Sequence, residues 1–205
     1  MKAAGFYREI KIVTVREDPL PAHKSGRFDS PRSIVDFWRT VVTRSAWFHD
    51  SKEHLVCICL DTRFRLKSFS LVSMGSLSET LAHPREIFRP AIADSAHSVI
   101  VVHNHPSGDP NPSRLDLCLT RRLYLAARLL QIPLEDHIIV GDEKYFSFRE
   151  VRRLWPEIER DATKLEKTIG RQFTRPTRRR PTRKSLGKMG GIILKSTGGK
   201  PLRKR

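Results

Sequence analysis

The chain has 205 residues, with 39 Lys or Arg, 22 Asp or Glu and a formal net charge of +17. A length of this order holds one domain with a real core plus an added segment, and at 39% hydrophobic content part of the chain is expected to stay unpacked. No apolar run reaches the roughly 18 residues of a membrane span, Met1 to Glu17 carries scattered charges where a secretory signal would be apolar, and Cys57, Cys59 and Cys118 cannot close a disulfide framework. A cytoplasmic protein with no membrane partner is expected.

Ile10 to Val15 reads as a first strand. Residues 18–29, polar with Pro19, Pro21 and Gly26, read as a linker. Ser30-Pro31 has the form of an N-cap followed by Pro in the first helical position, and Ile34, Phe37, Trp38, Val41 and Val42 follow at helical spacing. Leu55 to Leu60 is a buried strand in which Cys57 and Cys59 face the same way as small core residues. Arg63 to Ser73 is a second strand after a turn at Asp61-Thr62. Pro84 to Ile92 reads as a short helix, and Val99 to Val102 as a central strand, mostly β-branched. Residues 104–112 carry three prolines and a glycine and form a loop.

Ser113 to Leu130 is the longest predicted helix, with Leu115, Leu119, Leu123 and Ala127 on one stripe. Ile138 to Val140 is a strand, Gly141-Asp142 a turn and Tyr145-Phe146 a return strand. Ser147 and Glu150 have the spacing of a capping box for a last short helix through Leu154. Helices and strands alternate irregularly, which predicts an α/β domain with a mixed sheet. The expected organisation is residues 1–29 as strand and linker, 30–155 as the domain and 156–205 as a disordered basic tail.

The excess charge sits at the end. Residues 161–205 hold 15 Lys or Arg and 2 Asp or Glu. Few large apolar residues occur there beyond Phe173 and Ile192-Ile193-Leu194, too few to offset the entropy of ordering. Such a block attaches to nucleic acid through counterion release, mostly without sequence preference; as a plain alternative it only solubilises the protein.

The residues that carry chemistry are His103, His105, Ser113 and Asp116. Positions 103 and 105 lie at the end of an apolar strand, where side chains two apart face the same way. Asp116 is in the first turn of the next helix, and the Pro- and Gly-rich loop can turn that helix start toward the strand end. Two imidazoles and a carboxylate with an open fourth position form a catalytic zinc pattern, in which the metal lowers the pKa of a bound water to about 7. Ser113 suits an N-cap and could also donate to an oxyanion at the metal. From spacing alone, a polar strand end remains an alternative for the histidines. A zinc deaminase needs His-x-Glu and Cys-x-x-Cys, both absent; His-Glu-x-x-His and Gly-x-Ser-x-Gly are absent as well. An HNH nuclease would spread its histidines over a longer unit than one strand.

His103-x-His105, seven residues, Ser113, two residues and Asp116 match the JAMM (MPN-plus) metalloprotease signature at every defined position. More narrowly, His103-Asn104-His105-Pro106-Ser107-Gly108-Asp109-Pro110, His83-Pro84-Arg85-Glu86 and Asp136-His137-Ile138-Ile139-Val140-Gly141-Asp142 resemble the bacterial RadC family, over roughly residues 30–153. The resemblance implies a single MPN/JAB-like domain binding Zn2+ through His103, His105 and Asp116. It implies hydrolysis of a peptide or isopeptide amide in a peptide or protein substrate. It also implies an upstream glutamate acting as general base, for which Glu53 is the first candidate and Glu86 the rival. His137 is expected in the core or behind the ligands rather than on the metal. Full-length members carry a helix-hairpin-helix segment before the domain, and none is read here. A DNA-repair or recombination accessory, in which the zinc is structural or acts on phosphoesters, is the alternative function.

Overall fold

A computed structural model describes residues 27–75 and 82–174. The strand expected at Ile10–Val15 and the Ile192-Ile193-Leu194 run lie outside the described residues. The chain divides into two compact units, Met1–Lys167 and Thr168–Arg205; the fold below is that of the first.

The order of elements is α1 (Pro31–Thr40), β1 (Glu53–Leu60), β2 (Leu66–Gly75), α2 (Pro84–Ala93), β3 (Ser98–Asn104), α3 (Arg114–Leu130), β4 (Leu134–Val140), β5 (Tyr145–Ser147) and α4 (Leu154–Thr174). The strands form one mixed sheet in the order β2-β1-β3-β4-β5. β1 runs antiparallel to β2 and β3, β3 parallel to β4, and β4 antiparallel to β5. The parallel step needs a crossover, and α3 supplies it.

Alternation along the strands sorts the core into two faces. Leu55, Cys57, Cys59, Val99, Val101 and Ile139 pack with Ile87 and Phe88 of α2, Leu119 and Leu123 of α3, and Trp155 and Ile158 of α4. Val56, Ile58, Leu60, Ile100, Val102 and Ile138 pack with Ile34, Phe37 and Trp38 of α1. β1 and β3 are covered on both sides, which explains their unbroken apolar runs. This is the α/β architecture expected from the sequence.

Several boundaries differ from expectation for local reasons. Phe28, expected in the linker, is buried, and its amide donates to the Phe64 carbonyl at 2.7 Å. β2 starts at Leu66 because Asp61 Oδ1 accepts the amides of Arg63 and Arg65, which holds residues 61–65 in a turn. β4 starts four residues early, at Leu134, because parallel pairing with β3 carries the polar residues Glu135, Asp136 and His137 into the sheet. Leu115 is 50% exposed, since in the first turn of α3 the buried side is taken by Asp116. The short helix expected after Ser147 does not form. Ser147 Oγ accepts the Glu150 amide but gives its hydrogen to Asp136, and residues 148–153 turn instead.

The helix begins at Leu154 and continues to Thr174, so residues 156–174 are not the disordered tail expected of them. Trp155, Ile158 and Ala162, at helical spacing, bury one face of α4. Arg121 and Arg128 of α3 pair with Glu157 and Glu166 at 2.6 and 2.7 Å. Counting net charge concealed this apolar stripe. No described helix is long and apolar enough to cross a membrane.

Candidate metal centre

The site lies at the carboxyl end of β3, the usual place for a site in an open α/β sheet. β3 brings His103 to the face covered by α3 and then ends. His105 continues the path by donating its amide to the Val140 carbonyl at 3.0 Å. Gly108 (φ +79°) turns the loop tightly against the β4–β5 turn, where a Cβ would collide with the Asp142 carboxylate.

The loop delivers the chain to Ser113, the N-cap of α3, in a full capping box. Ser113 donates from both its amide and its hydroxyl to Asp116 Oδ2, at 2.7 and 2.6 Å, and its Oγ accepts the Asp116 amide at 3.1 Å. Asp116 Oδ1 is thereby turned to His103 Nε2, at 3.2 Å. Glu53, opening β1, reaches the same point, with Oε1 3.7 Å from His103 Nε2. One ligand atom from each of Glu53, His103, His105 and Asp116 lies within 4.8 Å of all the others.

The hydrogens of this cluster follow from its partners. His105 Nδ1 lies 2.7 Å from the Asp109 carbonyl oxygen, which can only accept. Nδ1 therefore carries a hydrogen, and in neutral His105 the other nitrogen, Nε2, is bare. That nitrogen sits 3.1 Å from His103 Nε2 and 3.6 Å from Asp116 Oδ2. A bare imidazole nitrogen, a second imidazole and carboxylate charge thus meet at a point that could hold a cation, and the donor set of two imidazoles and carboxylate oxygens suits zinc.

The electrostatics agree. Burial opposes ionisation of Asp116, but the adjacent imidazoles of His103 and His105, with the Ser113 hydroxyl, outweigh it and hold the carboxyl well below the usual range. Asp116 in turn raises the pKa of His105. Burial, aided by His103, pushes the pKa of His137 well down and keeps it neutral.

Of the two candidate bases, Glu53 joins the cluster. Glu86 lies in the first turn of α2, 41% exposed and bonded to Arg85 at 3.1 Å. Two further residues escaped the sequence reading. Thr120 stands one helical turn after Asp116 and touches His137 at 2.6 Å. Asn104, between the two histidines, faces the other side of the sheet. Its Oδ1 accepts the His54 amide and its Nδ2 donates to the Lys52 carbonyl, both at 2.9 Å. It therefore clamps the backbone on either side of Glu53, just past the last β1–β3 pair, Leu55 with His103. The i+4 spacing was the only sequence signal for Thr120, and Asn104 stood only within the RadC-like segment, with no role assigned. A groove of about 420 Å³ opens beside Glu53, lined by Ser51, Lys52, Met74, Gly75 and Pro106.

The profile of the RadC-like JAB domain matches residues 28–154, more than half of the chain and the whole of the described sheet. The chain belongs to the RadC family. A UPF0758 protein of Geobacillus thermodenitrificans is 50% identical over 152 residues, 73% of this chain and 66% of that protein. One from Chlorobaculum parvum is 52% identical over 101 residues, 49% of this chain and 46% of its own length. One from Trichlorobacter lovleyi is 46% identical over 124 residues, 60% of this chain and 52% of its own length. The chain thus spans about half the length of several curated relatives that it matches. Membership of the RadC-like JAB domain family supports a JAMM-like fold with a possible metal site.

Proposed function

We propose that this RadC-like domain is a zinc-dependent hydrolase of peptide or isopeptide amides. The observation that carries the proposal is the meeting of Glu53 with His103, His105 and Asp116 within 4.8 Å, beside an open groove. His103, His105 and Asp116 would hold the ion. Zinc, when bound, supplies Lewis acidity that polarises an amide carbonyl and makes water acidic. Glu53 removes a proton from the attacking water and returns it to the leaving amine, which requires a carboxylate within reach of both. Its 15% exposure leaves it accessible from the groove and shielded enough to act as a base. Ser113 orients Asp116. To serve a developing oxyanion as well, its hydroxyl must leave the Asp116 carboxylate.

The test is Glu53→Gln, compared with wild type for zinc content and for cleavage of a peptide and isopeptide library. The variant is expected to keep its zinc and lose about 10²–10⁴-fold in rate. A variant that cleaves at the wild-type rate would exclude Glu53 as base, and a zinc-loaded wild type that cleaves no amide would remove the hydrolase reading.

A second role rests on charge. Residues 175–205 hold 12 Lys or Arg and no Asp or Glu. We propose that this segment gives the protein a salt-dependent, sequence-independent affinity for nucleic acid, with the domain then serving as an accessory of repair or recombination.

A further inference from the structure

Behind His103 a line of polar side chains runs into the protein. His103 Nδ1 lies 3.0 Å from His137 Nε2, His137 Nδ1 lies 2.6 Å from Thr120 Oγ1, and Thr120 Oγ1 lies 2.6 Å from the main-chain carbonyl oxygen of Asp116. His103, His137 and Thr120 are fully buried, so every hydrogen in the line is shared within it.

The far end sets the direction of each bond. A carbonyl oxygen has no hydrogen to give. The Thr120 hydroxyl therefore donates to it, since the opposite rotation would press oxygen lone pairs together at 2.6 Å. With its one hydrogen committed, Thr120 Oγ1 can only accept from His137, so the hydrogen of His137 is on Nδ1 and its Nε2 is bare. That Nε2 accepts from His103 Nδ1. The hydrogen of His103 is thus held on Nδ1, and its Nε2 is bare toward His105 Nε2 and Asp116 Oδ1. The ring of His137 cannot easily turn to break the line, because it stacks flat on Phe148, 4.9 Å away and 6° from parallel.

We propose that Thr120 and His137 are positioning residues that lock His103 in its metal-binding tautomer, with the Asp116 carbonyl setting the sense of the line. Asp116 then acts twice, its carboxylate beside the metal position and its main chain anchoring the other ligand from behind. The proposal rests on reading the cluster as a metal centre, not on amide hydrolysis.

Two measurements test it. In zinc-free wild-type protein, the imidazole ¹⁵N shifts of His103 report which nitrogen bears hydrogen. Nδ1–H is expected, and Nε2–H would overturn the proposal whether or not zinc binds. In the second, zinc affinity is measured by competition with a chromophoric chelator for wild type, Thr120→Val and Thr120→Ser. Thr120→Val keeps the shape and removes the hydroxyl; it is expected to weaken zinc about 10–100-fold, as loss of a partner behind a ligand does. Thr120→Ser restores the hydroxyl and is expected to restore affinity. Thr120→Val binding zinc as tightly as wild type, or Thr120→Ser failing to rescue a folded protein, would contradict the proposal. Zinc bound normally with no amide cleavage would remove the hydrolase reading and leave this one standing.

Discussion

At the residue scale, the site consists of side chains whose hydrogen-bond partners leave them one option. Main-chain carbonyls fix the hydrogens of His105 and, through Thr120, of His103. The Ser113 amide and hydroxyl fix the rotation of Asp116. Asn104 extends the same logic to Glu53. Asn104→Asp keeps the acceptor for the His54 amide but faces the Lys52 carbonyl with a second oxygen instead of a donor. The expected cost is about 1–3 kcal/mol of stability, with faster hydrogen exchange at the His54 amide, and zinc affinity little changed. Unchanged exchange at His54 would show that the clamp does not hold β1.

At the element scale, two joints are open to test. The loop carrying His105 closes against the β4–β5 turn only because residue 108 has no side chain. Gly108→Ala meets both an unfavourable φ and the Asp142 carboxylate, and is expected to destabilise the loop and weaken zinc together. A folded variant with wild-type zinc affinity would mean that the loop relaxes independently of the site. Asp136 ties β4 to the chain after β5. It accepts the His137 and Arg149 amides and the Ser147 hydroxyl.

Burial raises the Asp136 pKa from 3.8 to about 6 despite those bonds. Between these values the folded protein holds a proton that the unfolded chain has lost, so this group's contribution to stability falls as pH rises through about 6. The whole effect is about 3 kcal/mol. Asp136→Asn is expected to flatten the pH dependence of the denaturation midpoint between about pH 4 and 7, without lowering it at pH 7. An unaltered slope would show that other groups set it.

These elements also show how far the sequence could be read. β1, β3 and α3 were legible because burial on one or two faces writes a periodic apolar pattern. The candidate cluster of His103, His105 and Asp116 was legible because His-x-His on a strand and an acid in the next helical turn have fixed spacing. The start of β4, where pairing with β3 overrides polar residues, was not legible. Nor were Thr120 and Asn104, whose roles depend on partners 17 and about 50 residues away.

At the scale of the whole molecule, net charge hid the helix over residues 156–174. Ala162 is buried and Glu166 pairs with Arg128, so a cut at residue 160 would strip most of α4 from the domain. A chain ending at Thr174 is expected to keep the wild-type denaturation midpoint. It should lose most affinity for DNA or RNA, together with the steep fall of that affinity with salt. Unchanged nucleic-acid binding by this shorter chain would place the contact on the domain instead.

The central claim is that His103, His105 and Asp116 form a live metal site. Its most direct test is the zinc content of purified wild type and Asp116→Ala by mass spectrometry, before and after zinc is offered. About one zinc per chain in the wild type, lost in the variant, is the predicted result. No zinc in the wild type even after loading, or equal zinc in both, would contradict it.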